Sequence, residues 1–189
     1  MRHPIAVVAL LVAARHAFEG RPQNGPLPDP SPVGRERVEV RAGMGLVGDR
    51  YFNHPAHRDA AVTVFAAESL DELARALDLP AVPDPLRTRR NITLRGYPVD
   101  SIRRGTVFSL DSGDGPVRFM AHRPAHPCAW MDVTVAPGAF RGLRRHGGLR
   151  CEPLDDGVLS VGPAVLELLD DVPVPGRSAR PQRRGSSPG

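Results

Sequence analysis

The chain has 189 residues, 41% hydrophobic and 24% charged, a composition typical of one globular domain with its own core. All 25 basic residues are arginine and the formal net charge is +4. Because the chain has no lysine, it cannot by itself form the Schiff base of a pyridoxal phosphate enzyme. Two cysteines do not make a disulfide framework, so we expect a cytoplasmic protein with free thiols.

The N-terminal segment MRHPIAVVALLVAARHA contains a ten-residue apolar run after a basic start. Such a run also occurs in secretory signal peptides, which is the alternative interpretation. It is too short to cross a membrane, which takes about 20 apolar residues. Its β-branched residues favour a buried strand from Ile5 to Val12, and we expect no membrane association.

Alternation and turn residues predict further strands along the chain. RERVEV predicts a strand with Val38 and Val40 facing inward, and AAVTVFA predicts a buried strand. Between them, AGMGLVGDRYFNHPAHRD is punctuated by glycines and rich in polar groups, which is typical of a functional loop.

The clearest predicted helix lies in ESLDELARALDLP. Leu70, Leu73, Ala74 and Leu77 recur at helical spacing on one face, and Pro80 follows the end of the pattern. After it, NITL is a short strand, and GTVFSL and PVRFMAHR, joined by the turn SGDG, predict a hairpin.

The last predicted strands are LRCEPL, GVLSV and AVLELL. Many short strands with one clear helix predict a mainly β fold, a β-barrel or a strand-rich α+β domain. We expect residues 1–171 to form this single domain. Residues 172–189 have no apolar period, which predicts a disordered tail.

The segment HRPAHPCAWMD places Cys128 after a proline and close in sequence to His122, Arg123 and His126. Cationic neighbours lower the pKa of a thiol, and the thiolate attacks sulfur or carbon and binds soft metals. The alternative is a small core residue. Cys151 shares a strand face with Leu149 and is predicted to be such a core cysteine.

A zinc site is a weaker hypothesis for the same residues. His122, His126 and Cys128 form H-x3-H-x-C, and His54 and His57 form H-x2-H. Zinc sites use these ligands. However, the sequence has no CxxC pair, and the intervening prolines disrupt the usual zinc knuckles.

Four motifs together resemble a known family, the MOSC domain, which occurs at the C-terminus of molybdenum cofactor sulfurases and as standalone bacterial proteins. They are, in order, GLVGDRYF, RRNI, PC and HGGLRCEPLDDGVLSVG. The resemblance covers roughly residues 5–170. It implies a strand-rich, barrel-like fold that binds the molybdenum–pterin cofactor (molybdopterin).

The resemblance also implies roles for individual residues. Cys128 corresponds to the functional cysteine of the family, either a molybdenum ligand or the carrier of a persulfide. Arg89 and Asn91, with Arg90 between them, resemble the clamp for the phosphate of the pterin, which suits the bidentate chemistry of arginine. Arg50 could reach an anion and Asp49 could orient it. His126, close in sequence to the thiol, completes the expected cofactor-binding set.

Each of these functional roles has a structural alternative. Arg89 and Arg90 could form a solvated face before a strand, and Asp49 with Arg50 could be a structural ion pair in a turn. Trp130 is expected to pack rather than bind. The sequence also departs from the family at Gly162–Pro163, where an acidic residue usually follows the glycine.

The functional hypothesis is an enzyme or sulfur carrier that reduces N-hydroxylated compounds or transfers sulfur. We expect its sulfur or electrons to come from a separate protein, a cysteine desulfurase or an electron-transfer partner, since these 189 residues contain no lysine for the pyridoxal phosphate chemistry of the sulfurases. The alternative is a non-catalytic carrier or store of molybdopterin. Dispersed arginines and 5% aromatic residues argue against nucleic-acid binding.

Overall fold

Within the described residues, 1–169, the computed structural model contains eleven strands and three short α-helices. The strands are β1 Arg2–Leu11, β2 Gly34–Arg35, β3 Arg37–Arg41, β4 Gly45–Leu46, β5 Val62–Ala66, β6 Ile92–Arg95, β7 Val107–Asp111, β8 Pro116–Pro124, β9 Leu149–Pro153, β10 Gly157–Ser160 and β11 Gly162–Leu169. The helices are α1 Glu68–Ala76, α2 Met131–Thr134 and α3 Ala139–Gly142. The expected tail, 172–189, lies outside the described residues.

Seven strands close into a β-barrel. Their order is β11-β7-β8-β9-β5-β6-β1, and β1 pairs back onto β11 to complete the ring. Closure leaves no free sheet edge among these strands, since each has a partner on both sides. The predicted mainly β, barrel-like fold is therefore confirmed, as is the hairpin of β7 and β8.

The N-terminal apolar run forms β1, the strand at which the barrel closes. It pairs antiparallel with β11 on one side and with β6 on the other. Val7, Leu10 and Leu11 are almost completely buried, as the strand interpretation predicted. Within residues 1–169, the structure contains no helix with the length and apolar character needed to cross a membrane.

The barrel interior is the main core. Phe108 and Phe119 stack at its centre, with ring centroids 5.7 Å apart. Val38 and Val40 reach this core from a second sheet of order β10-β3-β4, as their alternation predicted. Cys151 also lies in this core and is fully buried, so its structural assignment is confirmed.

A second apolar cluster lies between α1 and the two short helices. Leu70 and Leu73 of α1 pack with Met131 of α2 and Leu143, just after α3. The predicted face of α1 is buried, although Leu77 falls just beyond the last helical residue. This cluster anchors α2, and α2 begins three residues after Cys128.

Candidate functional site

Cys128 lies in the thiol loop, defined here as residues 125–130 between β8 and α2. Cys128 is exposed, whereas Cys151 is buried. Ala125 starts the loop with a hydrogen bond from its amide to the Gly148 carbonyl, 2.8 Å. At the other end the Met131 amide donates to the Cys128 carbonyl, 2.9 Å. The backbone around the thiol is therefore fixed at both ends.

Arg90 binds the underside of the thiol loop. Its guanidinium donates to the carbonyls of Ala125 (2.7 Å), His126 (3.2 Å) and Gly147 (2.9 Å). Burial, and then the neighbouring Arg150, lower the pKa of Arg90 to about 10, which still leaves it charged at neutral pH. The solvated-face interpretation is therefore wrong for this residue, which positions the loop and places a positive charge near the thiol.

Arg50 carries two buried donors without a hydrogen-bond partner. Among residues 1–169, nothing accepts from its Nε or Nη1, although both atoms are shielded from solvent. Its guanidinium lies over the Tyr51 ring at 4.6 Å, and Nη1 is 3.9 Å from the Asp49 carboxylate. Buried donors are nearly always satisfied in native proteins, so these two atoms require an acceptor from outside residues 1–169, such as a water molecule or an anion.

Asp49 and Asn91 form the framework behind Arg50. The Asn91 side chain accepts from the Thr63 amide and hydroxyl and donates to the Leu11 carbonyl and to Asp49 Oδ2. Asp49 also accepts from the amides of Ala13 and Tyr51. Because every side-chain polar atom of Asn91 is bonded within the protein, its expected contact with a cofactor stays a prediction.

Arg89 is neutralised by a residue that the sequence pattern did not indicate. Its guanidinium forms two hydrogen bonds with the Asp29 carboxylate, at 2.7 and 3.0 Å, and lies 5.6 Å from the centre of the Phe18 ring. Its side chain is only 10% exposed, so it is not on a solvated face either. In this arrangement Arg89 holds the segment between β1 and β2 against the site.

These residues meet in a small cavity, the thiol pocket, of 180 Å³. Cys128, His126 and Trp130 line it from the thiol loop, while Arg50, Tyr51, Thr63 and Asn91 line it from the opposite side. Within residues 1–169, its lining includes Arg50, Arg89, Arg90 and Arg150 and no acidic side chain. The pocket is therefore a positively charged recess beside a free thiol.

Arg150 is a further site residue that the sequence analysis did not predict. Burial, and then Arg123, lower its pKa. The sequence LRCEPL could have indicated it. Side chains alternate along a strand, so Arg150 lies on the face opposite to the buried Leu149 and Cys151. That face of β9 borders the thiol pocket.

His122 and Arg123 do not join Cys128 in this pocket. The β8–β9 register shifts between Ala121 and Arg123, and the buried His122 ring pairs with Glu152 at 3.2 Å. The cations near the thiol therefore come mainly from distant segments. Within the part of the chain that the structure describes, no three histidine, cysteine or acidic side chains cluster as metal ligands.

Comparison with known proteins gives one family match. The family model for the MOSC domain matches residues 48–166. This span contains Arg50, Arg90, Cys128 and Arg150. No curated protein matches the chain.

Several solved structures share the fold. The YuaD protein of Bacillus subtilis is 16% identical with a TM-score of 0.65, over 88% of this chain and 96% of that one. YiiM of Escherichia coli is 19% identical with a TM-score of 0.55, over 91% and 71%. YiiM of Geobacillus stearothermophilus is 15% identical with a TM-score of 0.58, over 88% and 75%. At these identities the likeness concerns the fold alone.

Proposed function

Because this chain belongs to the MOSC domain family, we propose that it binds a molybdenum–pterin cofactor, with the phosphate at Arg50 and the metal beside Cys128. The observation that carries the proposal is the pair of buried, unpartnered donors of Arg50 in the same pocket as an exposed thiol. Each of these charged donors can donate to a phosphate oxygen, and hydrogen bonds of this kind are among the stronger ones in proteins.

The other side chains of the pocket fit an anion as well. Arg150 adds positive charge from β9, and Arg90 holds the thiol loop by its three carbonyls. The Asp49 carboxylate lies 3.9 Å from Nη1 of Arg50 and would orient the guanidinium. Asn91 fixes Asp49 in turn. The chain thus supplies both the charge for a phosphate and the rigid support that holds it.

The size of the thiol pocket limits what it holds in this conformation. Pockets for cofactor-sized ligands usually exceed ~300 Å³. The 180 Å³ recess suits the phosphate end, and hollows of 480 and 450 Å³ adjoin it across Phe18 and His16 respectively. Movement of these two side chains would join the recess to a space of cofactor size.

The thiol of Cys128 is the group that acts on the bound cofactor. We propose that it is either a ligand of molybdenum or the carrier of a persulfide. The cofactor, when bound, supplies two-electron redox chemistry. The reaction would be reduction of N-hydroxylated compounds or sulfur transfer, in the cytoplasm, with residues 1–171 acting as one domain and a separate electron-transfer protein or cysteine desulfurase as partner.

A non-catalytic carrier of molybdopterin is the second candidate. The observation that favours it is the aromatic wall of the pocket: Phe18 stacks on Trp130 with ring centroids 5.1 Å apart and their planes 5° from parallel. Flat aromatic rings of this kind can stack against the ring system of a pterin and so help to retain it. A carrier would retain the pterin without depending on Cys128.

The test is to produce the protein in a host that makes the cofactor and to purify it without reductant. Bound molybdenum is measured by elemental analysis and pterin by fluorescence after oxidation. Wild type is compared with Cys128→Ser and with Cys151→Ala, which removes the other thiol. Thermal melting of each variant confirms that it is folded.

Near-stoichiometric metal that is lost only in Cys128→Ser supports a metal-ligating cysteine and a reductase. Pterin that all three proteins retain equally, without activity, supports the carrier. A wild-type protein with neither metal nor pterin contradicts the proposal.

A further inference from the structure

A second cavity lies on the other side of the thiol loop. Its volume is 710 Å³, four times that of the thiol pocket and within the range of ~300–1,000 Å³ usual for small-molecule sites. His126 lines both cavities, whereas Cys128 and Arg50 line only the thiol pocket. We call the larger one the distal cavity.

The walls of the distal cavity are apolar. Ile102 and Leu149 are buried, Pro124 is the last residue of β8, and Pro127 comes from the thiol loop. Phe140 of α3 is half-buried and adds an aromatic surface. These side chains offer contact to a flat hydrocarbon body rather than to a highly polar sugar or nucleotide.

Three exposed arginines lie around this apolar surface: Arg104, Arg144 and Arg145. Within residues 1–169, no acidic side chain lies within ion-pair distance of any of them; Arg144 instead lies 5.2 Å from the centre of the Phe140 ring. The salt bridges within residues 1–169 involve other arginines, apart from the one between His122 and Glu152. Unpaired guanidiniums beside an apolar hollow are suited to a carboxylate or sulfonate.

Within residues 1–169, Asp100 is the one acidic side chain that lines the distal cavity. Asp100 is half-buried and accepts a hydrogen bond from the Gly148 amide at 3.0 Å. Its burial raises the pKa of the carboxyl. Buried His122 is held by Glu152. Polar groups thus lie at the barrel end, and the unpaired positive charge lies on the exposed rim.

We propose that the distal cavity is a second ligand site, which binds a small aromatic anion with its ring between Phe140 and Leu149 and its carboxylate at Arg144 and Arg145. The site stands on its own residues and does not depend on cofactor binding in the thiol pocket. Its position against His126 would place this ligand next to the thiol loop.

The test uses 2-naphthoate as the probe and its neutral amide, 2-naphthamide, as the matched ligand. Titration calorimetry on the purified full-length protein should give saturable binding of one naphthoate per chain, at least about tenfold tighter than naphthamide. Raising the salt concentration should weaken naphthoate alone, since exposed charges are screened.

Variants locate the site. Arg144→Gln with Arg145→Gln should weaken naphthoate at least about tenfold, and the exposed Arg2→Gln should leave it unchanged. Asp100→Asn, which keeps the acceptor for Gly148 and removes a negative charge, should tighten it. All of these changes are near the surface or conservative, and thermal melting checks their folding.

Three results would overturn the proposal: no saturable binding of naphthoate to folded protein, equal affinity for the neutral amide, or equal affinity in the double arginine variant. Loss of naphthoate binding in Arg50→Gln would place the probe in the thiol pocket and would also overturn it. A wild-type protein that binds naphthoate but holds neither molybdenum nor pterin would contradict the proposed function and leave this site standing, so the two proposals fail separately.

Discussion

Arg50 shows how a single side chain marks the site. It is mostly buried, its Nε and Nη1 have no acceptor within residues 1–169, and its nearest carboxylate oxygen is 3.9 Å away. A folded protein that leaves charged donors unsatisfied loses stability, and binding of an anion recovers it. Of the other arginines of the pocket, Arg90 already binds carbonyls and Arg89 binds the Asp29 carboxylate.

Asn91 is expected to stabilise the fold as well as the site. Asn91→Ala leaves the Thr63 amide, the Leu11 carbonyl and Asp49 with unmet hydrogen bonds in buried surroundings. We predict a loss of about 3 kcal/mol in the free energy of unfolding, measured by urea denaturation. Asn24→Ala, an exposed asparagine, should change it by less than about 0.5 kcal/mol. An equal free energy of unfolding for Asn91→Ala and Asn24→Ala would show that the hydrogen bonds of the Asn91 side chain do not stabilise the fold.

The two thiols are expected to differ sharply in reactivity. Cys128 is exposed, whereas Cys151 is fully buried and its burial raises the pKa of the thiol. After reduction, a disulfide reagent should modify one thiol per native chain at once and the second only in denaturant. Peptide mapping should assign the fast thiol to Cys128. Prompt reaction of both thiols, or of Cys151 first, would contradict the placement of either residue.

At the scale of elements, the site depends on where three segments cross. The loop after β4 brings Arg50, the segment before β6 brings Arg90, and β8 ends where the thiol loop begins. The two residues before β9 join two of these segments, since the Gly148 carbonyl accepts from the Ala125 amide and the Gly147 carbonyl accepts from Arg90. Gly148 also lies directly against the backbone of β5 at Val64. The close approach of these backbones leaves no room for a side chain at this position.

Gly148→Ala should therefore be strongly destabilising. Its φ of 89° is in the left-handed region, and a Cβ there would collide with the Val64 carbonyl. We predict a loss of about 3 kcal/mol or more in the free energy of unfolding. Gly113→Ala, at φ 110° with open space around it, should cost only about 1–2 kcal/mol. If denaturation curves give the two variants the same loss, the close packing here is not as described.

The ion pair between β8 and the β9–β10 turn predicts a pH dependence. Arg118 forms two hydrogen bonds with Asp155, at 2.8 and 2.7 Å, and these lower the pKa of that carboxyl. A carboxyl whose pKa is lower in the folded state stabilises the fold above its unfolded pKa, about 4, and loses this contribution as pH falls further.

Asp155→Asn should thus melt at a lower temperature than wild type at pH 7, and the difference should shrink as pH falls below about 4. Glu72→Gln, an exposed acid of α1, is the matched control and should show no such convergence. A melting difference that stays constant from neutral to acid pH would exclude a stabilising role for the ionised Asp155.

At the scale of the whole molecule, the closed barrel holds the two cavities on either side of one loop. The strands β8 and β9 are neighbours in the barrel, and the thiol loop leaves β8 while Arg150 lies on β9. His126 lines both cavities. The thiol loop, which carries Cys128, therefore borders both the positively charged thiol pocket and the apolar distal cavity.

Local patterns predicted much of this fold. Burial on one face of an element leaves a periodic apolar pattern in a short stretch of sequence. Such patterns predicted β1 from its β-branched run, α1 from its helical spacing and β9 from the alternation around Cys151. Barrel closure is different, because β1 and β11 are more than 150 residues apart and no local pattern specifies their pairing.

The site was predicted less completely for the same reason. The motifs indicated Arg50 and Cys128, but proximity in sequence also suggested His122, which the irregularity in β8 turns toward Glu152 instead. Asp29 binds Arg89 across 60 residues, and Asn91 binds Asp49 across 42. Such pairs depend on the tertiary fold, so composition and spacing could not reveal them.

The most direct test of cofactor binding at Arg50 compares the pterin content of Arg50→Gln with that of Arg145→Gln, each produced in a host that makes the cofactor. Both variants remove one positive charge, but Arg50 lines the thiol pocket and Arg145 lines the distal cavity. We predict that Arg50→Gln retains about tenfold less pterin than wild type or lower still, because it loses charged hydrogen bonds to the phosphate. Arg145→Gln should retain the wild-type amount. Equal pterin in the two folded variants would contradict the placement of the cofactor's phosphate at Arg50.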